Sequence, residues 1–277
     1  MTAYRRRLRA LAAERGALCV GIDPHASVLD AWGLERSASG LETCARTLVE
    51  ALGASVAAFK PQSAFFEVYG SAGIAVLERV LADIAQAGAL SILDVKRGDI
   101  GSTMAAYADA YLLPGAPLRA DAITVSPYLG FGSLVPAFER AIAHDAGVYV
   151  LARTSNPEGG QVQLALGKEG SVVQEIIDAA TEANRNASTR AIGLVIGGTH
   201  TSLGCDVSEF NGSILVPGIG HQGGRIQDLP ELFGEATEQV LPVVGRGIMS
   251  AGPDVGALRH KVADFLANGL STRVVAR

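Results

Sequence analysis

The chain is 277 residues long, 48% hydrophobic and 18% charged, with 33 glycines and a formal net charge of −5. Its length suits a one-domain barrel of alternating strands and helices, typically about 250 residues, and so large an apolar share excludes a disordered chain. The negative balance argues against a nucleic-acid partner, whose phosphates require clustered positive charge, and no apolar run approaches the roughly 18 residues that span a membrane.

Residues 1–16 read as an N-terminal helix that packs on the rest of the chain. Tyr4, Leu8 and Leu11 recur on one face, and Arg5, Arg6, Arg7 and Arg9 are expected on an exposed one. Glu14 and Arg15 interrupt the apolar core that a signal peptide would need. Eight short apolar runs follow, at 17–23, 56–60, 90–96, 121–126, 147–153, 192–198, 213–218 and 240–246, each read as a strand. Helical patterns lie between them, as at 41–52, at 72–88 and at 102–112, where Met104, Ala108, Tyr111 and Leu112 share a face. After the last strand a helix opens at Gly252-Pro253-Asp254, with Val255, Leu258, Val262, Phe265 and Leu266 on one stripe. Eight strand–helix units over residues 1–277, with no low-complexity linker, predict a single (β/α)8 TIM barrel. A doubly wound open sheet is the alternative, since its local alternation is the same.

Cys19, Cys44 and Cys205 are odd in number and far apart, which suggests neither a disulfide framework nor a zinc site and points to a reducing cytoplasm. His25, His144, His200, His221 and His260 show no ligand spacing, so no metal is expected.

The stretch LDVKRGDIGST, residues 93–103, carries an apolar segment straight into charge. Side chains alternate along a barrel strand, so Leu90, Ile92, Asp94 and Lys96 share one face and Leu93 and Val95 the other. With Val95 against the helices, Asp94 and Lys96 point inward at the C-terminal end of the third strand. The same parity groups Val56, Ala58 and Lys60 in the second strand, and Cys19, Gly21 and Asp23 in the first. Charges of mixed sign thus converge from three strands on the end where this fold carries its chemistry, and alternating Lys with Asp is how such a cluster survives burial. Asp99 follows Gly98 beyond the strand. It reads either as a helix-starting residue, since Ser102 and Thr103 also suit a helix N-terminus, or as part of the site.

A second informative stretch is VPGIGHQGGRIQD, residues 216–228. Gly218, Gly220 and Gly223 match a dinucleotide fingerprint formally, but after a seventh strand rather than in an early βαβ unit. Loops after strands seven and eight of a barrel commonly bind phosphate, which suits the glycine N–H groups, Gln222, and Arg246 beside Gly245 and Gly247. Ser155 and Asn156, in ARTSNPEGG, read as hydrogen-bonding groups for a polar ring or as turn residues before Pro157, and Thr199 is open in the same way.

Six motifs in order, VGIDP at 20–24, FKPQSAFFE at 59–67, LDVKRGDIGST at 93–103, ARTSNPEGG at 152–160, VPGIGHQGG at 216–224 and VGRGIM at 244–249, resemble the orotidine 5'-phosphate decarboxylase family over essentially the whole chain. Within it they are most similar to the longer bacterial, type 2, subgroup. The resemblance implies a cofactor-free carboxy-lyase of pyrimidine synthesis that forms uridine 5'-phosphate, working as a homodimer. It implies that Lys96 protonates C6 of the pyrimidine, that Asp94 sits beside the departing carboxylate, and that Lys60 holds the aspartates and contacts the ribose. Asp23 would bind a ribose hydroxyl, Ser155 the base, and Gln222 both base and phosphate, with Arg246 and the Gly245 backbone on the phosphate. Asp99 would reach into the neighbouring subunit's site, with Thr103 nearby. The departures are Pro61-Gln62, where many members have Val-Gly, and Gly247, where many have Ser; neither is expected to touch a charged role.

Two other readings compete. Magnesium-dependent sugar-phosphate decarboxylases of the same barrel group share the D-x-K-x-x-D pattern, but carry an acidic metal ligand at the end of strand two, where this chain has Lys60. A non-catalytic nucleotide-binding barrel would need only the phosphate loop, and the Lys60, Asp94, Lys96 and Asp99 set speaks against it.

Overall fold

In a computed structural model, which describes residues 3–267, eight parallel strands close in sequence order into a barrel. They are β1 (Cys19–Ile22), β2 (Ala58–Pro61), β3 (Leu90–Arg97), β4 (Ala122–Val125), β5 (Gly147–Arg153), β6 (Ile192–Ile196), β7 (Ile214–Val216) and β8 (Val240–Val244). Closure is made by β1 on β8, with Cys19 opposite Val243 and Val20 opposite Val244. The open-sheet alternative is thereby set aside.

Alternation along the strands separates two cores. Cys19, Ala58, Leu90, Ile92, Ala122, Tyr149, Val195, Leu215 and Val243 fill the barrel interior, whereas Val20, Phe59, Leu93, Val95, Ile123 and Val148 face the helices. Val56 departs from its expected place: it precedes β2 and packs in the outer core. The helix Ala38–Leu52 shows why the outer layer forms. Leu41, Cys44, Ala45, Leu48, Val49 and Leu52 recur at helical spacing and are buried, and Ser37 caps its start by accepting from the Gly40 N–H at 3.2 Å. On Gly101–Leu112 the buried residues are Met104, Ala108, Tyr111 and Leu112, the predicted face. Along Val255–Ala267, Leu258 and Val262 are buried, Phe265 and Leu266 pack at the edge, and Val255 is exposed.

Regular strand–helix alternation fails once. No helix follows β6 among the described residues; 197–213 is irregular backbone. Gly204, Gly212 and a run of Ser, Thr, Asp and Asn favour turns over helix there. Leu203, Val207 and Phe210 are nevertheless buried and cover the barrel in the helix's place.

The helix Ala3–Arg15 closes the N-terminal end of the barrel. Tyr4 enters the interior core, where its hydroxyl lies 2.8 Å from that of Tyr149. Arg5 is not on the exposed face: it is 8% exposed, lodged beside the two phenols, while Arg6 and Arg7 are exposed and Arg7 pairs with Asp121 at 2.7 Å. A long side chain beside an inward tyrosine can bury its stem this way, which helical periodicity alone did not anticipate. No described helix is long and apolar enough to cross a membrane.

Candidate active site

At the C-terminal end of the barrel lies a cavity of about 580 Å³, within the range of small-molecule sites. Asp23, Lys60, Asp94, Lys96, Ser155, Gln222, Gly245 and Arg246 all line it. Asp99 and Thr103 do not.

The floor is a row of alternating charge. Lys60 Nζ donates to Asp94 Oδ2 at 2.8 Å, and lies 3.6 Å from Asp23 Oδ1. Lys96 Nζ donates to the other oxygen, Asp94 Oδ1, at 2.7 Å. The side chains of Lys60 and Asp94 are 6% and 8% exposed, that of Lys96 46%. Lys60 and Asp94 therefore form a buried pair, and Lys96 an ammonium presented to the cavity. Burial alone would raise the Asp94 carboxyl, yet Lys60 and Lys96 outweigh it and hold the group well below its usual range. Burial likewise disfavours the Lys60 cation, but Asp94 and Asp23 reverse that and push its titration upward.

Lys96 leaves β3 by an unusual route. Its φ is 46°, in the left-handed region, which costs an ordinary side chain roughly 1–2 kcal/mol. The ladder is shifted here: Leu93 pairs with Ile123 and Arg97 with Val125, so four steps along β3 match two along β4. Gly98 follows, where a Cβ would sit 2.4 Å from the Ser126 carbonyl oxygen, so only glycine fits.

Three contributors went unread in the sequence. Thr124 of β4 donates to Asp94 Oδ1 at 2.8 Å and accepts from the Lys96 N–H at 3.0 Å. Parity puts it on the inward face with Ala122, but a neutral hydroxyl gave no charge signal. Gln62 accepts from Lys60 Nζ at 3.1 Å and donates to the Asp94 carbonyl oxygen at 3.2 Å, so the Pro61-Gln62 departure does touch a charged role. His25 lines the cavity with its ring edge-on to Phe65, centroids 4.2 Å apart. Burial and the Arg246 guanidinium push its imidazole below the ordinary value, with Asp23 pulling the other way.

The opposite wall is built from the glycine-rich turn after β7 and the start of the Arg246–Met249 turn after β8. Gly218 has a φ of 94°, a conformation that glycine adopts without strain, and a Cβ there would meet Thr199 at 2.9 Å. Ser155 Oγ donates to Gln222 Oε1 at 3.2 Å, leaving the Gln222 amide nitrogen as a donor. Thr199 Oγ1 donates to the Ser155 carbonyl oxygen at 3.3 Å, and Asn156, also in the wall, accepts from Thr154 Oγ1 at 2.7 Å and donates to Glu158. The glycine-rich turn with Arg246 and the row of alternating charge thus line one cavity.

Asp99 is half-buried outside this cavity, its carboxylate accepting from the Ile100 N–H at 2.8 Å at the start of Gly101–Leu112. Thr103 is exposed in the first turn of that helix. Among the described residues no three His, Cys, Asp or Glu side chains cluster as metal ligands.

Comparison with known proteins finds a match to the family model described as "Orotidine 5'-phosphate decarboxylase / HUMPS family" over residues 16–260. An orotidine 5'-phosphate decarboxylase from Salinispora arenicola is 52% identical over 270 residues, 97% of each chain. One from Streptomyces coelicolor is 51% identical over 278 residues and the full length of both. A Streptomyces avermitilis crystal structure, provisionally assigned the same activity, superposes with a TM-score of 0.90 at 49% identity, covering 97% of this chain and 95% of that one.

Proposed function

The chain belongs to the orotidine 5'-phosphate decarboxylase / HUMPS family, and we propose that it is the carboxy-lyase that converts orotidine 5'-phosphate to uridine 5'-phosphate and carbon dioxide in pyrimidine synthesis. The observation that carries this reading is the row Lys60, Asp94, Lys96 facing the Gly218–Gln222 and Arg246 wall across one cavity. The match of LDVKRGDIGST and its companion motifs supports the type 2 subgroup.

The chemistry needs little else. Breaking the C6–carboxylate bond leaves an electron pair at C6 that the ring delocalises poorly, so the protein must stabilise it. The Lys96 ammonium is the exposed end of the charged row; aimed at C6, it would stabilise the developing charge and then transfer its proton there, the amine recovering a proton from water. Asp94, bridging both lysines, would keep Lys96 cationic and aimed. Arg246, the Gly245 N–H and Gln222 would take the phosphate, Ser155 the base, Asp23 a ribose hydroxyl, and Lys60 would hold both aspartates and reach the ribose. Phosphate binding far from the reacting carbon would serve to align the charged row with the ring.

Lys60 distinguishes the magnesium-dependent reading. Its ammonium already bridges Asp23 and Asp94, the carboxylates a divalent cation would seek, and would repel that cation. Orotidine 5'-phosphate added in excess chelator is expected to lose the ultraviolet signature of its carboxylated ring. Turnover abolished by chelation would favour the metal-dependent class, and binding without a spectral change would favour a nucleotide-binding barrel.

A homodimer in which Asp99 and Thr103 serve the neighbouring site is part of the same proposal. Both lie outside their own cavity, and the segments after β3 and β4 expose Ile100, Tyr128 and Leu129, apolar surface suited to burial against a second copy. Mixing inactive Lys96→Ala with Asp99→Ala subunits is expected to restore activity, because a hybrid dimer regains one complete site. No recovery despite verified subunit exchange would overturn the shared site. The unpaired thiols of Cys19 and Cys44, both buried, support a reducing compartment such as the cytoplasm.

A further inference from the structure

We infer that Arg97 is a positioning residue for Lys96, anchoring the strained turn that carries the ammonium into the cavity; the inference rests on the reading of Lys96 as proton donor. The left-handed backbone of Lys96 is pinned on its near side by the N–H bond to Thr124. On its far side Arg97 supplies both backbone and side-chain hydrogen bonds. The Arg97 carbonyl accepts from the Ser126 N–H at 2.7 Å. Its guanidinium donates to Glu67 Oε1 at 2.9 Å and to the Tyr111 hydroxyl at 3.4 Å, and lies 5.6 Å from the centroid of the Tyr107 ring. One side chain thus ties the end of β3 to the Ser63–Glu67 segment after β2 and to the Gly101–Leu112 helix.

Stability does not account for this brace. The Arg97 and Glu67 side chains are 32% and 39% exposed, and pairs that accessible contribute little to folding. What the brace supplies is direction. A residue held at φ 46° relaxes toward negative φ when its neighbour is freed, and that rotation swings the Lys96 stem away from Asp94. Asp94, Lys60 and the phosphate wall stay where they are, so the damage falls on the proton donor alone.

The test is kinetic. Arg97→Ala is expected to lower kcat about 100-fold, the scale of a misplaced catalytic group, with uridine 5'-phosphate affinity within about threefold of wild type. Glu67→Gln, which keeps the shape of the brace and removes its charge, is expected to show a smaller loss of the same kind, and serves if Arg97→Ala fails to fold. A purely structural residue would instead lower affinity and kcat together, or lower the folded fraction with kcat per folded site unchanged. Either result, or kcat within about twofold of wild type in both variants, overturns the inference. Lys96→Ala run alongside separates the two readings: if that variant turns over normally the donor assignment itself is lost, whereas an inactive Lys96→Ala beside a fully active Arg97→Ala refutes only the brace.

Discussion

Replacing Lys96 with alanine is expected to lower kcat by at least about 10⁴-fold while uridine 5'-phosphate still binds. The magnitude follows from two roles lost together: a general acid is worth about 10² to 10⁴, and one aimed electrostatic donor about 10² to 10³. Binding survives because the groups proposed for the phosphate and base, Arg246, Gln222 and Ser155, belong to a different wall. Folding should survive too. At 46% exposure the Lys96 side chain supports no packing, and Asp94 keeps Lys60 as its buried partner. Steady-state turnover and product titration on the same preparation check both halves of the claim. Turnover near the wild-type rate would remove Lys96 from the chemistry.

The barrel and most of this site were legible in the sequence because both depend on period-two alternation. Phe59 and Leu93 face the helices, which forces Lys60 and Asp94 inward, and strand parity alone carries that step. Parity stops where the strand stops being regular. Parity turns Lys96 inward as a continuation of Asp94, but it reaches the cavity through a left-handed turn and a shifted ladder that no local pattern announces. Arg97, next in sequence, carries a charge that reads as solvated until Glu67 and Tyr111 are seen beside it.

Neutral hydrogen-bonding groups were harder still. Thr124 sits on a strand as any β-branched residue does, and only the fold brings its hydroxyl to Asp94. Gln62 reads in sequence as a subgroup difference; in three dimensions its side-chain oxygen is the third neighbour, after Asp94 and Asp23, of a buried ammonium that has three N–H donors. The missing helix after β6 has a similar origin. Leu203, Val207 and Phe210 recur at helical spacing, yet glycine and the turn-forming side chains around them decide the backbone, and the apolar residues are buried from an irregular loop instead. Charge and alternation survive projection onto one dimension, whereas hydrogen-bond complementarity does not.

Asp94→Asn is expected to cost about 3 kcal/mol of stability, or roughly 6–12 °C in Tm, along with most of the activity. Among the described residues the carboxylate is the one anion that touches both lysines, at 2.8 and 2.7 Å, and it is buried with Lys60. Asparagine keeps the shape and can still accept from Thr124, but it offers an amide nitrogen to one of two ammonium groups and no charge to either. Lys60 retains the neutral oxygen of Gln62 at 3.1 Å and the longer contact to Asp23 at 3.6 Å, with no close anion, so its buried cation is left undercompensated. Asp23→Asn, which removes that longer and more exposed contact, should destabilise less. The sign with pH is fixed by the direction of the Asp94 shift. A carboxyl held below its ordinary value contributes stability that is fully present above the unfolded pKa, about 3.9, and is lost as pH falls from there through the folded value. The gap in Tm between wild type and Asp94→Asn should therefore be constant near neutral pH and begin to narrow below about pH 4. Thermal unfolding of both proteins across that range measures it. Equal Tm values at neutral pH would mean that Lys60 does not depend on Asp94 for its charge, and the alternating row would then be a feature of binding alone.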